Sequence, residues 1–123
     1  MVEVPAAAIA ADQFDAEFFS IGSNDLTQYV AAAGRDIGAV ADLADPVQPA
    51  VLRLVRYVVD VAEAKRIDVS LCGDAGGDPR AIPLLLGTGL RCLSMAPTLV
   101  GGAKFALAGI DLGTLPETAS WPR

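Results

Sequence analysis

Histidine is absent from the 123-residue sequence. That gap removes Ser-His and Cys-His nucleophile pairs, His-containing metal sites, and any phosphohistidine carried by this chain itself. Cysteine is scarce: Cys72 and Cys92 are the only two, too far apart for CxxC chemistry and too few for a disulfide framework, so a reduced, cytoplasmic protein is expected. Positive charge is also short. Nine Lys and Arg against fifteen Asp and Glu leave a formal charge of -6, which argues against a nucleic-acid surface or a patch for anionic membrane. The opening MVEVPAAAIAADQ is small and apolar, but it lacks a basic n-region and is interrupted by Glu3 and Asp12. It reads as neither a signal peptide nor a membrane span. What is plentiful is apolar residue: 53% of the chain against 20% charged, which excludes a disordered polymer and leaves room for one domain with a moderate core.

Gly, Pro and Asp divide the chain into short β-like runs, each followed by a longer helical pattern, about four times over. That rhythm predicts a parallel α/β sheet. The expected strands are Val2 to Val4, Glu17 to Gly22, Asp68 to Cys72 and Arg91 to Met95. The first leads through Pro5 into an Ala-rich helix, and the second into SNDLTQYVAAA, where Ser23 or Asn24 can cap and Asp25 suits the positive helix end. The clearest helix has Asp45 as expected N-cap, Pro46 in its first turn, and Val51, Leu54, Val55, Val58 and Ala62 at helical spacing. Asp78 and Pro79 repeat the same start signal, and Pro97 precedes a short last helix. Residues 1–110 are expected to form the domain, with 111–123 a polar, Pro-containing and flexible tail.

Four βα units suit either a small open sheet or part of a closed barrel. An eight-unit barrel needs about 250 residues, so this chain cannot close one alone. Its outer strands would keep unpaired backbone groups, and pairing with a second copy or another chain is expected.

In parallel α/β folds, functional groups gather on the loops after the strands. Those positions are Glu3; Ser23, Asn24 and Asp25; Cys72, Gly73 and Asp74; and Ser94 and Met95. Glu3 with Asp25, completed by water and substrate oxygens, suits Mg²⁺, which takes only one or two protein carboxylates. Helix-start and strand-end polarity explains Asp25 and Asn24 equally well. Cys72 beside a Gly-rich turn suits a proton donor or nucleophile, whereas Cys92 is expected to be a buried core thiol. Arg35, just past the second helix, either clamps an anion by two points or faces solvent. Gly87-Thr88-Gly89 precedes a strand instead of following one, the wrong order for a dinucleotide site, and no GxxxxGK[ST] is present.

Taken in order, MVEVPAAA, FFSIGSNDLTQY, DPVQPAVLRLV and CGDAGGDPRAIPLLLGTGLRCLSM resemble the C-terminal part of the phosphoenolpyruvate-utilising TIM barrel, most closely Enzyme I of the sugar phosphotransferase system. The resemblance runs from Met1 to about Lys104 and rests on several ordered, highly specific blocks. It implies the C-terminal half of a (β/α)8 barrel that binds phosphoenolpyruvate with Mg²⁺. In that family the phosphoryl group passes to a histidine on a separate domain and pyruvate is left. Carried over by position, Glu3 and Asp25 are implied metal ligands, Asn24 and Arg35 implied holders of the substrate's anionic groups, and Cys72 the implied proton donor to the enolate carbon. Related barrels in pyruvate phosphate dikinase and phosphoenolpyruvate synthase share the site, but FFSIGSNDLTQY favours Enzyme I, whose barrel the resemblance implies is dimeric.

The sequence departs from the family where substrate arginines of earlier strands and the phosphorylated histidine domain are concerned, since neither is in this chain. The expectation is a truncated product, or a fragment with its upstream half elsewhere, inactive alone. A non-catalytic module that dimerises or completes a partner's barrel is the alternative, and a relic the blandest one. The family's DR-N reads Gly34-Arg35-Asp36-Ile37 here, its HPAV histidine is Gln48, and its CGE glutamate is Asp74.

Overall fold

The computed structural model describes residues 1–34 and 36–115. Among them, three parallel strands lie side by side in chain order: β1 (Phe18–Gly22), β2 (Asp68–Cys72) and β3 (Leu93–Ser94). Phe18 stands opposite Asp68 and Gly22 opposite Cys72 across the first pair, and Cys72 opposite Ser94 across the second. Five α-helices accompany them: α1 (Pro5–Ile9), α2 (Ser23–Ala31), α3 (Pro49–Lys65), α4 (Ala81–Gly87) and α5 (Val100–Ala108).

The first of the four expected strands, Val2 to Val4, is not formed. A single parallel bridge joins Val2 to Ile21, with Val2 N–H donating to the Ser20 carbonyl at 2.7 Å and Gly22 N–H to the Val2 carbonyl at 2.9 Å. Pro5 explains the shortness. It opens α1, so the chain turns away from β1 directly after Glu3 and only Val2 pairs. The sequence therefore yields three strands and a bridge in place of four strands.

Period two divides the sheet into unlike faces. Phe19, Ile21 and Leu71 point into the core, each at most 4% exposed, against Val55, Val58 and Ala62 of α3 and Leu85 of α4. The opposite face carries Phe18, Ser20, Asp68, Ser70, Cys72 and Ser94, all exposed or half-buried. Cys92 follows the parity of Ser94 and is exposed, not buried as expected. A smaller cluster of Ile82, Leu86 and Ala103 fixes α5 to α4, and Leu115 packs against it. Residues 112–114 form a 3-10 turn, while the remainder of the expected tail, 116–123, lies outside the described residues.

Two helix starts show how proline position decides a boundary. The helix expected at Pro46 begins instead at Pro49, with Gln48 extended before it. A helix begun at Pro46 would need an N–H from Pro49 to the Asp45 carbonyl, and proline has none; at the first helical position that loss costs nothing. Asp45 caps a preceding turn instead, accepting from Val47 N–H at 3.2 Å. The helix expected to start at Pro79 under an Asp78 cap also begins later, at Ala81 with Arg80 in the N-cap position; Asp78 holds the turn before it, its carboxylate accepting from Arg80 N–H at 2.8 Å and its carbonyl from Ile82 N–H at 3.0 Å.

Arg80 also folds back on Asp78, with Nη2 2.7 Å from Oδ2. This side-chain hydrogen bond, with the backbone N–H groups and the guanidinium charge, outweighs desolvation and holds the Asp78 carboxyl below its ordinary value of 3.8. A depressed carboxyl stabilises the fold above its unfolded value and loses that contribution as pH falls through the folded one. Wild type should accordingly lose a stability increment below about pH 4 that Asp78→Asn lacks, measured as the difference between their urea midpoints at pH 6 and pH 3.

Candidate functional site

The C-terminal ends of β1 and β2 meet the first turn of α2, and most of the sequence-selected residues gather there. Ser23 and Asn24, the expected caps of α2, do not cap it; Gly22 occupies the N-cap position, with no side-chain cap bond. Both side chains reach across to the turn after β2. Ser23, almost completely buried, donates from Oγ to the Cys72 carbonyl at 2.8 Å. Asn24 makes a two-point contact with Asp74: its Nδ2 donates to Oδ2 at 3.0 Å, and its Oδ1 accepts from the Asp74 N–H at 2.9 Å. Those unlike partners fix which way the amide points, and they leave the amide one further N–H to present to a ligand.

Gly73 makes the close approach feasible. Its φ of +108° lies in the region side chains disfavour, and a Cβ there would sit 2.4 Å from Ser23 Oγ and 2.7 Å from Asn24 Oδ1. Gly22 does a similar service on the neighbouring strand, where a Cβ would come within 2.9 Å of Glu3 Cβ and 3.0 Å of Glu3 Oε2. The Glu3 carboxylate thus lies over the end of β1, one residue before α2. Asp25 stands in the first helical turn, where a negative charge is favoured by the helix dipole.

Cys72 ends β2 directly opposite Gly22 and is half-buried. Its Sγ lies 3.8 Å from Ser20 Oγ, a contact in which either group can donate. Glu3, Asn24, Asp25 and Cys72 therefore stand at one end of the sheet, while Arg35 lies outside the described residues. Among the described residues no group of three or more His, Cys, Asp or Glu side chains is placed to hold a metal. The donor set at this end is two carboxylates, hard oxygen ligands that suit Mg²⁺ when water and substrate complete the shell.

Three participants were missed from sequence. The Asn24–Asp74 pairing joins residues 50 apart and leaves no local signature. Ser20 was findable, since period two puts it on the face of Gly22 and, through the register, of Cys72. Thr27, in the first turns of α2, is 3% exposed and its hydroxyl has no partner among the described residues. The close approach at Gly73 is the most exposed to disruption. Gly73→Ala should cost about 1–3 kcal/mol in backbone strain alone, with the collision at Ser23 adding to it. Gly102→Ala, in a helix with open space around it, should be neutral or stabilising, and chemical denaturation of the two variants measures the contrast.

Against known families, residues 1–112 match the PEP-binding domain of PEP-utilising enzymes. The chain is 50% identical over 109 residues to the phosphoenolpyruvate-protein phosphotransferase of Geobacillus stearothermophilus, covering 87% of this chain and 19% of that protein. It is 50% identical over 121 residues to the protein of the same name from Haloferax volcanii, covering 97% and 21%, and 43% identical over 122 residues to that of Borreliella burgdorferi, covering 98% and 21%. The chain spans about a fifth of the length of these curated relatives. A match over nearly the whole described length, with the strand-end residues of that match gathered at one end of a parallel sheet, makes this chain a member of the PEP-utilising enzyme family, in its PEP-binding domain.

Proposed function

We propose that the chain is the C-terminal half of the barrel of a phosphoenolpyruvate-protein phosphotransferase, carrying its phosphoenolpyruvate and Mg²⁺ site. The observation that carries the reading is the convergence of Glu3, Asn24, Asp25 and Cys72 on the C-terminal end of a sheet whose strands follow chain order. Four βα units are counted in this reading by taking the Val2 bridge as the remnant edge of the first. The domain comprises residues 1–110, and the location is cytoplasmic.

The chemistry follows from charge. Phosphoenolpyruvate is a polyanion, and Glu3 and Asp25 repel it unless a cation lies between. Glu3 and Asp25 would hold Mg²⁺, whose positive charge would offset that of the phosphoryl group during transfer. Asn24 directs its remaining amide N–H to an anionic oxygen, and Arg35 supplies a two-point guanidinium contact. When the P–O bond to the enol oxygen breaks, the phosphoryl group goes to a histidine nitrogen that this chain does not contain, and the bonding pair stays on oxygen, leaving the enolate of pyruvate. The Cys72 thiol gives its proton to the methylene carbon, forming pyruvate, and the thiolate recovers a proton from solvent. With no histidine of its own, the chain is inactive by itself. Titration of phosphoenolpyruvate into the purified chain should show saturable binding with Mg²⁺, lost in EDTA and in Asp25→Asn. Equal binding in EDTA would remove the metal role, and no binding by a folded sample would remove the ligand site.

A second reading is favoured by the sheet's open face. Phe18, 63% exposed, and Asp68, Ser70 and Cys72 line a face that no described helix covers, and β3 ends the sheet as an edge. Such a surface suits a complementing half-barrel or a second copy of this chain. Light scattering over a wide concentration range should report mass above that of one chain, and a well-folded monomer throughout would refute association with itself.

A further inference from the structure

Ser20 and Cys72 meet on the face of the sheet opposite the core, and the strand register explains why. Directly across from Cys72 on β1 stands Gly22, where any Cβ would collide with the Glu3 side chain. That slot therefore holds no side chain of β1. The next residue of β1 on the same face is Ser20, two positions back. Its Oγ lies 3.8 Å from Cys72 Sγ, a long reach suited to a large, polarisable sulfur. Among the described residues this is the one side-chain hydrogen-bond contact that either group makes, and both residues are half-buried.

The direction of the bond decides what it does. A thiol that donates its proton to serine has none to offer a carbon, whereas a serine that donates to sulfur leaves the S–H free. The hydroxyl is also the better donor of the two, since S–H donates weakly. A hydrogen bond to an ionised acceptor is about twice as strong as one between neutral groups, so this bond tightens as the sulfur loses its proton.

We infer that Ser20 donates a hydrogen bond to Cys72 Sγ and is the positioning residue for that thiol, leaving the S–H free and holding the charge that remains on sulfur once the proton has gone. In the proton transfer proposed above, the S–H bond breaks, the C–H bond of pyruvate forms and the bonding pair stays on sulfur. Ser20 keeps its own proton throughout. This use of the contact rests on the function proposed above, while the contact itself stands on the register and the distance.

Alkylation of Cys72 by iodoacetamide reads the contact without any substrate, because the thiolate is the species that reacts. The comparison is made with Cys92→Ser throughout, which removes the exposed second thiol. At neutral pH, Ser20→Ala should react about two- to threefold more slowly, the lost stabilisation of the thiolate being partly offset by its greater nucleophilicity, and Ser20→Thr, which keeps the hydroxyl, should react as Ser20 does. A purely steric role predicts the reverse order, since truncation to alanine uncovers the sulfur. A rate for Ser20→Ala equal to or above that with Ser20, or a threonine variant as slow as the alanine one, overturns the inference. In denaturing urea all three chains should react alike, and a difference that persists there also overturns it. Phosphoenolpyruvate with Mg²⁺ should protect Cys72 from the reagent; absence of protection counts against the proposed function, while the variant rates still decide the role of Ser20.

Discussion

The seam between the start of α2 and the turn after β2 is the contact on which the rest of the site depends. Two parallel strands side by side do not by themselves bring their following loops into a fixed relation, because each loop leaves with its own turn geometry. Here Ser23 binds the last carbonyl of β2 and Asn24 binds both ends of Asp74. Three hydrogen bonds, each worth roughly 0.5–1.5 kcal/mol net, tie one strand-to-helix junction to the next. Gly73 is the condition for all three, since any Cβ there would occupy the space of the Ser23 and Asn24 side chains.

Much of this architecture was legible because the signals are local. The strands Phe18–Gly22 and Asp68–Cys72 sit inside the runs that alternation selects, and the apolar spacing of α3 matches its buried face at Val51, Val55, Val58 and Ala62. Misreadings arose where two local signals compete. Asp45-Pro46 and Gln48-Pro49 both look like helix starts, and only the missing N–H of Pro49 decides between them. Val2 to Val4 has strand composition, yet Pro5 leaves one bridge of it.

Tertiary contacts account for the remainder. Ser23 and Asn24 are good caps in isolation, but the turn after β2 offers them partners fifty residues away, and capping is given up for the seam. Cys92 has the composition of a core residue, yet the register of β3 turns it toward the open face. For a chain that is about a fifth the length of its relatives, local pattern cannot tell a core face from one that another part of a barrel would cover. Of the candidate site, the residue types and their loops were legible; which side chains grip one another was not.

Asp74 shows what the seam does for a site with so much negative charge. A glutamate, as the family motif has at this position, holds its carboxylate one methylene farther from its own N–H. Aspartate brings the two close enough to grip a single amide from both sides, as the paired 2.9 and 3.0 Å bonds show. The Asp74 charge is then spent on orienting Asn24, so the amide's remaining N–H has a fixed direction before any ligand arrives. A donor that is already oriented loses little freedom on binding. In the function proposed above, the neutral donor that the anionic substrate would meet at this end of the sheet is held in place by one of the carboxylates that would otherwise repel it.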